Sequence, residues 1–199
     1  MSRAVQLPAP GRGGYDRRLS SAERQAEHRE RILLATSQVL SEGALTVARI
    51  VERAGVGRST FYEFFDSPEH VLEQLEQRTL RALGAALDAA FADARTPLER
   101  LRALTRSWTN MIASKPDALR VVLSRNASRP LSPAGEELQR ALQRCVELGR
   151  TEAGWFKTAD ELAVMGAAGA IEALSRRHLS ARVDDLPRIL SELMVKLLR

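Results

Sequence analysis

The sequence predicts an all-α protein of about nine helices, and three observations predict this class. Apolar residues recur at helical spacing through most of the chain, and no segment alternates with strand period over a useful length. Helix-start signals, in which Ser, Thr or Asp precedes Pro or Glu, recur along the sequence. The expected organisation is a basic arm over 1–19, a three-helix unit over 20–66 and a larger helical region over 67–199.

Composition favours an intracellular protein. The chain has 199 residues, of which 44% are hydrophobic and 28% charged, as is ordinary for a globular protein. No apolar run approaches the ~20 residues that span a bilayer, and the first residues lack the apolar core of a secretory signal. The single cysteine, Cys145, excludes an intramolecular disulfide and fits a reducing compartment. We therefore expect a cytoplasmic location.

Basic charge is concentrated near the N-terminus. The net charge is +5, and arginines outnumber acidic residues through Arg31. Proline and glycine in the first fifteen residues predict a flexible arm, for which a solubilising role is the alternative. Arg17 and Arg18 directly precede the three-helix unit, and we expect them to contact DNA phosphates or the minor groove.

The first helix of the unit has clear start and stop signals. Ser20 and Glu23 have the spacing of a capping box. The helix is then expected to run to Ser41 or Glu42, and Gly43 stands where a left-handed C-cap is expected.

A helix-turn-helix follows over Thr46–Phe65. Thr46 is expected to cap the second helix, Gly55 to end it and Gly57 to begin the third. Phe61 and Phe65, four residues apart, are predicted to face inward. In such a motif the second of the two helices enters the major groove of DNA. The residues predicted to point outward from that helix are Arg58, Ser59, Thr60, Tyr62 and Glu63.

Three Ser-Pro or Thr-Pro pairs punctuate the larger region, beginning at Ser67, Thr96 and Ser132. Each places proline at a first helical position, where its missing N–H is harmless. The helices predicted here begin at Pro68, Pro97, about Asp117, Pro133, about residue 158 and Leu186.

Two C-terminal helices have the composition of a subunit interface. The first contains an unusually small run over 166–170, and interior glycines each cost on the order of 1 kcal/mol, so the close approach of another backbone is a reason to have them. An internal core is the alternative. The predicted dimer interface comprises Gly166, Ala167, Gly169, Ala170, Leu174, Leu190, Leu193 and Leu197.

Over about Arg29–Leu75, the sequence resembles the TetR family of bacterial transcriptional regulators. The matching features are the I-L-x-A run at Ile32–Ala35, the Gly43 break, Thr46, Ile50, Ala54-Gly55-Val56, Thr60, Phe61-Tyr62, Phe65, Ser67 and Glu69. The rest of the chain matches only as an architecture. The resemblance implies that 20–66 is a DNA-binding domain and that 67–199 is a regulatory and dimerisation domain.

By this resemblance, the protein is a repressor that binds a palindromic double-stranded operator as a homodimer and is released by a small hydrophobic effector. Thr46 would touch a phosphate. An arginine can bond bidentately to guanine O6 and N7, so Arg58 is the side chain expected to discriminate most. The complete DNA-binding set is Arg17, Arg18, Thr46, Arg49, Arg58, Ser59, Thr60, Tyr62, Glu63 and Phe64.

Residues on the apolar faces of the larger region are candidates to line an effector site, with ordinary core packing as the alternative for each. These residues are Leu104, Trp108, Met111, Leu123, Asn126, Leu142, Cys145 and Met165. No cofactor or metal is expected.

An enzyme is disfavoured, because the three histidines have no metal-ligand spacing and no nucleophile elbow or phosphate loop occurs. A helical partner-binding adaptor with a weakened DNA-binding domain is the remaining alternative. Two departures from the family pattern favour it: Glu63 is acidic, and Pro68 stands where many members have a lysine.

Overall fold

The computed structural model describes residues 20–92, 94–124, 130–181 and 183–198; the side chains of residues 153, 197 and 198 also lie outside the description. Within these ranges the chain forms nine α-helices and no strand, which confirms the predicted class. The helices are α1 Ser21–Glu42, α2 Val47–Ala54, α3 Arg58–Phe64, α4 Pro68–Ala92, α5 Pro97–Ser114, α6 Pro116–Ser124, α7 Pro133–Ala153, α8 Glu161–Ser180 and α9 Leu186–Leu198.

The chain divides into two compact units, Met1–Leu72 and Glu73–Arg199. In the first unit, α1 packs against α2 and α3. In the second, α5, α7, α8 and α9 pack closely together, and α6 packs against α5, α7 and α8. The unit boundary falls within α4.

The helix starts follow from their capping residues. Ser20 accepts a hydrogen bond from the Glu23 backbone N–H at 3.2 Å, and the Glu23 carboxylate accepts one from the Ser20 N–H at 2.7 Å. Thr96 and Glu99 form the same reciprocal pair at the start of α5. Backbone N–H groups of Arg95 and Thr96 stabilise the ionised Glu99 carboxylate and so lower its pKa. These short-range bonds confirm the capping box predicted at Ser20 and the helix start predicted at Thr96; the capping box of Thr96 with Glu99 was not predicted from the sequence.

Two helix ends differ from the sequence expectation. Gly43 has φ 141° and ψ −144°, which is not the left-handed helical conformation. The carbonyl of the next residue, Ala44, accepts a hydrogen bond from the Arg49 side chain at 2.7 Å. α8 begins at Glu161 rather than near residue 158, because the Asp160 side chain accepts from the Ala163 N–H at 2.8 Å and caps the helix there.

The second unit has an apolar core with a buried tryptophan at its centre. Trp108 is fully buried, and its indole N–H donates to the Ser175 hydroxyl at 2.8 Å. That hydroxyl in turn donates to the Ile171 carbonyl at 2.7 Å. Burying an indole is tolerated when its N–H is bonded, and this chain of bonds joins α5 to α8.

A buried carboxylate joins three helices of the same unit. Glu172 on α8 is 2% exposed, and its oxygens accept from the Ser132 backbone N–H at 3.1 and 3.3 Å at the start of α7. Arg176 pairs with Glu172 and also donates to the Leu123 carbonyl in α6 at 2.6 and 2.9 Å. The charge of Glu172 is therefore compensated by a cation and by hydrogen bonds, as burial requires.

The connection from α7 to α8 contains two left-handed residues. Gly154 has φ 63° and Phe156 has φ 58°, which is unusual for a bulky side chain. The Phe156 ring is 4% exposed and lies so close to Gly149 that a Cβ atom there would stand 2.6 Å from two ring carbons. Arg150 donates to the carbonyls of Phe156 and Ala159 and holds this connection in place.

Candidate nucleic-acid interface

Helices α1, α2 and α3 share a small apolar core that contains two phenylalanines. Ile50, Phe61 and Phe65 are each no more than 1% exposed, and the two phenylalanine rings lie 5.9 Å apart. Val39 of α1 is equally buried. Both phenylalanines are therefore buried, as the sequence predicts.

The turn between α2 and α3 is fixed by backbone and side-chain bonds. Gly55 is left-handed, with φ 61° and ψ 40°. The Val56 N–H donates to the Val51 carbonyl at 3.1 Å. On the other side of the same peptide bond, the Gly55 carbonyl accepts from Arg31 of α1 at 3.0 Å.

The outer face of α3 carries the side chains that the sequence selects for base reading. Arg58, Ser59, Tyr62 and Glu63 are exposed, and Thr60 is half-buried. Tyr62 is 57% exposed, and its ring meets the buried Phe61 ring edge-on at 5.3 Å. An exposed aromatic and an exposed guanidinium on one short helix form a surface suited to base edges and phosphates.

Arg58 is an exposed cation on this face. Among the described residues, no carboxylate or carbonyl engages its guanidinium in an ion pair or hydrogen bond. Glu63, five positions later, is likewise without a described partner. Phe64 is half-buried beside Phe65, with the rings 6.5 Å apart, so part of its side chain remains accessible.

Thr46 and Arg49 stand at the start of α2. The exposed Thr46 hydroxyl accepts from the Arg49 backbone N–H at 3.3 Å, which leaves its own proton available to a phosphate oxygen. The Arg49 side chain donates to Ala44 at 2.7 Å and lies 3.6 Å from Glu42, which also pairs with Arg53 at 2.7 Å. Arg49 thus has intramolecular partners that a phosphate would have to displace or share. Arg17 and Arg18 lie outside the described residues.

Comparison with known proteins identifies this first unit. Residues 32–75 match the family model described as bacterial regulatory proteins, tetR family. The matched residues comprise the second half of α1, all of α2 and α3, and the start of α4, so the helix-turn-helix region is similar to that of this family. Two curated relatives are the HTH-type transcriptional repressors KstR of Mycolicibacterium smegmatis and Mycobacterium tuberculosis, at 32% and 30% identity over 98 residues. Each alignment covers 48% of this chain, and the chain spans about half the length of these relatives, 48% and 44% respectively.

Solved structures share the fold over most of this chain. The fatty acid degradation regulator FadR from Bacillus halodurans gives a TM-score of 0.69 at 21% identity over 85% of this chain and 97% of that one. FadR from Bacillus subtilis in complex with stearoyl-CoA gives 0.68 at 18% identity, over 85% of this chain. It is covered over 97% of its own length. The TM-scores establish a shared fold, and at this low sequence identity the likeness shows the fold alone.

The candidate effector residues lie mainly in the apolar core of the second unit. Six of them are buried and Met165 is half-buried, whereas Asn126 lies outside the described residues. The buried six are Leu104, Trp108, Met111, Leu123, Leu142 and Cys145. None of these seven described residues lines the pocket of about 260 Å³ at the α8–α9 connection, whose walls include Ile112, His178 and Leu186.

The candidate dimer residues divide into surface and interior positions. Gly166 is exposed, and Gly169, Ala170, Leu174 and Leu193 are half-buried. In contrast, Ala167 and Leu190 are fully buried within the unit itself, so neither is available to a partner in this structure. The side chain of Leu197 lies outside the description.

Two residues that sequence reasoning missed stand out in the structure. Leu162 is 68% exposed and lies one helical turn before Gly166, so it extends the same stripe of α8. Its position four residues before a glycine in an apolar segment was the available signal. Arg31 contacts a turn 24 residues away in sequence, and no local pattern indicates that contact.

Proposed function

We propose that this protein is a TetR-family transcriptional repressor that binds a palindromic operator as a homodimer and is released by a small, hydrophobic effector. Acting on chromosomal DNA, it would work in the cytoplasm. The observation that carries the proposal is the exposed face of α3, where Arg58 and Tyr62 project from a helix whose other side is buried. The repressor function named for both KstR relatives supports it.

The homodimer is supported by the surface of α8. Leu162, Gly166, Ala170 and Ala173 recur at intervals of three or four residues and form one stripe. A Cβ atom on Gly166 would meet no atom within 4 Å, so the stripe contains a shallow notch. A large exposed leucine next to small residues suits the close approach of a second copy of the same helix.

The dimer can be tested at one exposed residue. Leu162→Glu should produce a monomer in light scattering and weaken operator binding, because it places a charge within the proposed interface. Gln143→Glu, at an exposed position of α7, is the matched control and should remain dimeric. A dimeric Leu162→Glu variant would exclude this stripe as the interface.

The effector class is supported by the apolar character of the candidate residues and by the stearoyl-CoA bound to B. subtilis FadR. An effector releases the operator only if it binds the DNA-incompetent state more tightly. We expect a long-chain acyl compound to lower operator affinity, whereas a short-chain compound of equal charge should not.

The central test is sequence-specific DNA binding. Genomic fragments, including the promoter next to the gene, should be selected with the full-length protein and footprinted. We expect protection of two half-sites about one helical turn apart, and a specific affinity that exceeds random-DNA binding across a salt series. Equal affinity for selected and random DNA would contradict the proposal and favour the partner-binding adaptor.

A further inference from the structure

We infer that Arg31 is a positioning residue for DNA reading: from α1, its guanidinium fixes the peptide between α2 and α3 and thereby sets the direction of α3. This inference rests on the proposed DNA-binding function. Arg31 Nη2 donates to the Gly55 carbonyl at 3.0 Å across 24 residues of sequence.

The Gly55–Val56 peptide is the point at which a side chain can control α3. Its N–H is fixed by α2, through the 3.1 Å bond from Val56 to the Val51 carbonyl. Its carbonyl is fixed by α1, through Arg31. With both ends bonded, the plane of the peptide cannot rotate freely, and the chain enters α3 in one direction.

α3 has few other restraints at its start. It is seven residues long, and its N-cap, Gly57, supplies no side-chain hydrogen bond. Phe61 is its buried residue, so the aromatic core holds the middle of the helix and the turn holds its beginning. Loss of the Arg31 bond should therefore affect the orientation of Arg58 more than the stability of the unit.

Arg31 is not committed to another partner. Among the described residues, no carboxylate forms an ion pair with it. Gly55 is exposed, so water could satisfy its carbonyl if Arg31 were removed, and the free energy of unfolding should change little. An uncompensated arginine could instead contact a phosphate, and the salt dependence of binding distinguishes the two roles.

The principal variant is Arg31→Met, which keeps the apolar stem but removes the donors and the charge. We expect specific operator affinity to fall about tenfold, as for the loss of one charge-assisted hydrogen bond. Affinity for random DNA and the slope of log K against log salt should stay unchanged. A slope reduced by about one would assign Arg31 to a phosphate contact and overturn the inference.

A second variant tests the partner. A Cβ atom on Gly55 would lie 2.6 Å from Arg31 Nη2, so Gly55→Ala must displace the guanidinium. In the Gly55→Ala background, Arg31→Met should therefore have no further effect on specific affinity. Equal losses in both backgrounds would show that Arg31 acts elsewhere.

Titration of each variant with saturating operator DNA measures the fraction of the protein that is able to bind. Partial unfolding is then not mistaken for weak binding. Wild-type protein without any preference for the selected DNA would refute the proposed function. Wild-type preference that Arg31→Met retains in full would refute only the role of Arg31.

Discussion

The Glu172 carboxylate occupies the space that a Cβ atom on Gly135 would need. Besides the oxygen itself, Glu172 Cδ would lie 3.1 Å from such an atom and Leu131 Cβ would lie 3.2 Å from it. Because Glu172 is held by the Ser132 N–H and by Arg176, it cannot simply swing away. Close packing at this point depends on the absence of a side chain at residue 135.

Gly135→Ala should lower the free energy of unfolding by about 1–3 kcal/mol, as overpacking does in a closely packed interior. Urea denaturation followed by circular dichroism measures the change. Gly84→Ala is the matched control, because a Cβ atom there would make an ordinary 3.6 Å contact with Glu137. Helix propensity should make this control more stable by up to about 1 kcal/mol. Equal effects at the two glycines would contradict the packing argument.

Arg58→Ala should remove about 1–3 kcal/mol of specific operator binding, as expected for one bidentate contact with guanine. The fold and the dimer should remain, since Arg58 is exposed and engages no described partner. Fluorescence-anisotropy titrations against operator and random DNA measure the loss. Arg102→Ala removes an exposed charge from α5 and should leave specific binding unchanged. Operator affinity equal to that of the wild type would remove Arg58 from the readout.

Ser175→Ala should destabilise the second unit by about 1–3 kcal/mol, because it leaves the buried Trp108 N–H without its acceptor. The comparison variant is Ser114→Ala, whose exposed hydroxyl bonds only the Asn110 carbonyl of its own helix. It should change the free energy of unfolding by no more than about 0.5 kcal/mol. Chemical denaturation monitored by tryptophan fluorescence tests both, and similar midpoints for the two variants would exclude the proposed contribution of Ser175.

Burial raises the pKa of the Cys145 thiol from its ordinary value of 9.0 to about 12. At neutral pH only about one thiol in 10⁵ is ionised, so a disulfide reagent should react slowly with native protein and rapidly in denaturant. Rapid reaction of the native protein would contradict this burial.

The same pKa shift predicts a pH effect on stability. Between pH 9 and about 12 the unfolded chain loses the thiol proton while the folded chain keeps it, so stability falls as pH rises. The difference in stability between wild type and Cys145→Ala isolates this contribution from other groups. A difference independent of pH over this range would contradict it.

Local chemistry made much of the fold predictable from the sequence. The capping pair of Ser20 with Glu23 spans three residues, so a short stretch of sequence is enough to predict this helix start. Helix α1 ends before Gly43, as predicted, but Gly43 does not have the expected left-handed helical conformation; the next carbonyl is bonded by Arg49, a side chain six positions later. The bond between Glu172 and Ser132, 40 residues apart, cannot be predicted from the sequence, because it forms only when the fold brings the two residues together.

The candidate sites show the same division. Amphipathic spacing is enough to expect Arg58 and Tyr62 on one face of a short helix. In α8 and α9, however, apolar residues surround much of each helix, so periodicity does not separate a core position from a partner-facing one. Ala167 and Leu190 proved to be interior, whereas Gly166 is exposed.

The left-handed Phe156, whose ring lies close to Gly149, limits which substitutions residues 149 and 156 can accept. Any larger residue at position 149 would collide with the ring, and a smaller residue at 156 would leave a cavity beside α5 and α7. Compensation would require two substitutions, each harmful alone. Substitutions at residues 149 and 156 should therefore be tolerated together more readily than either is alone.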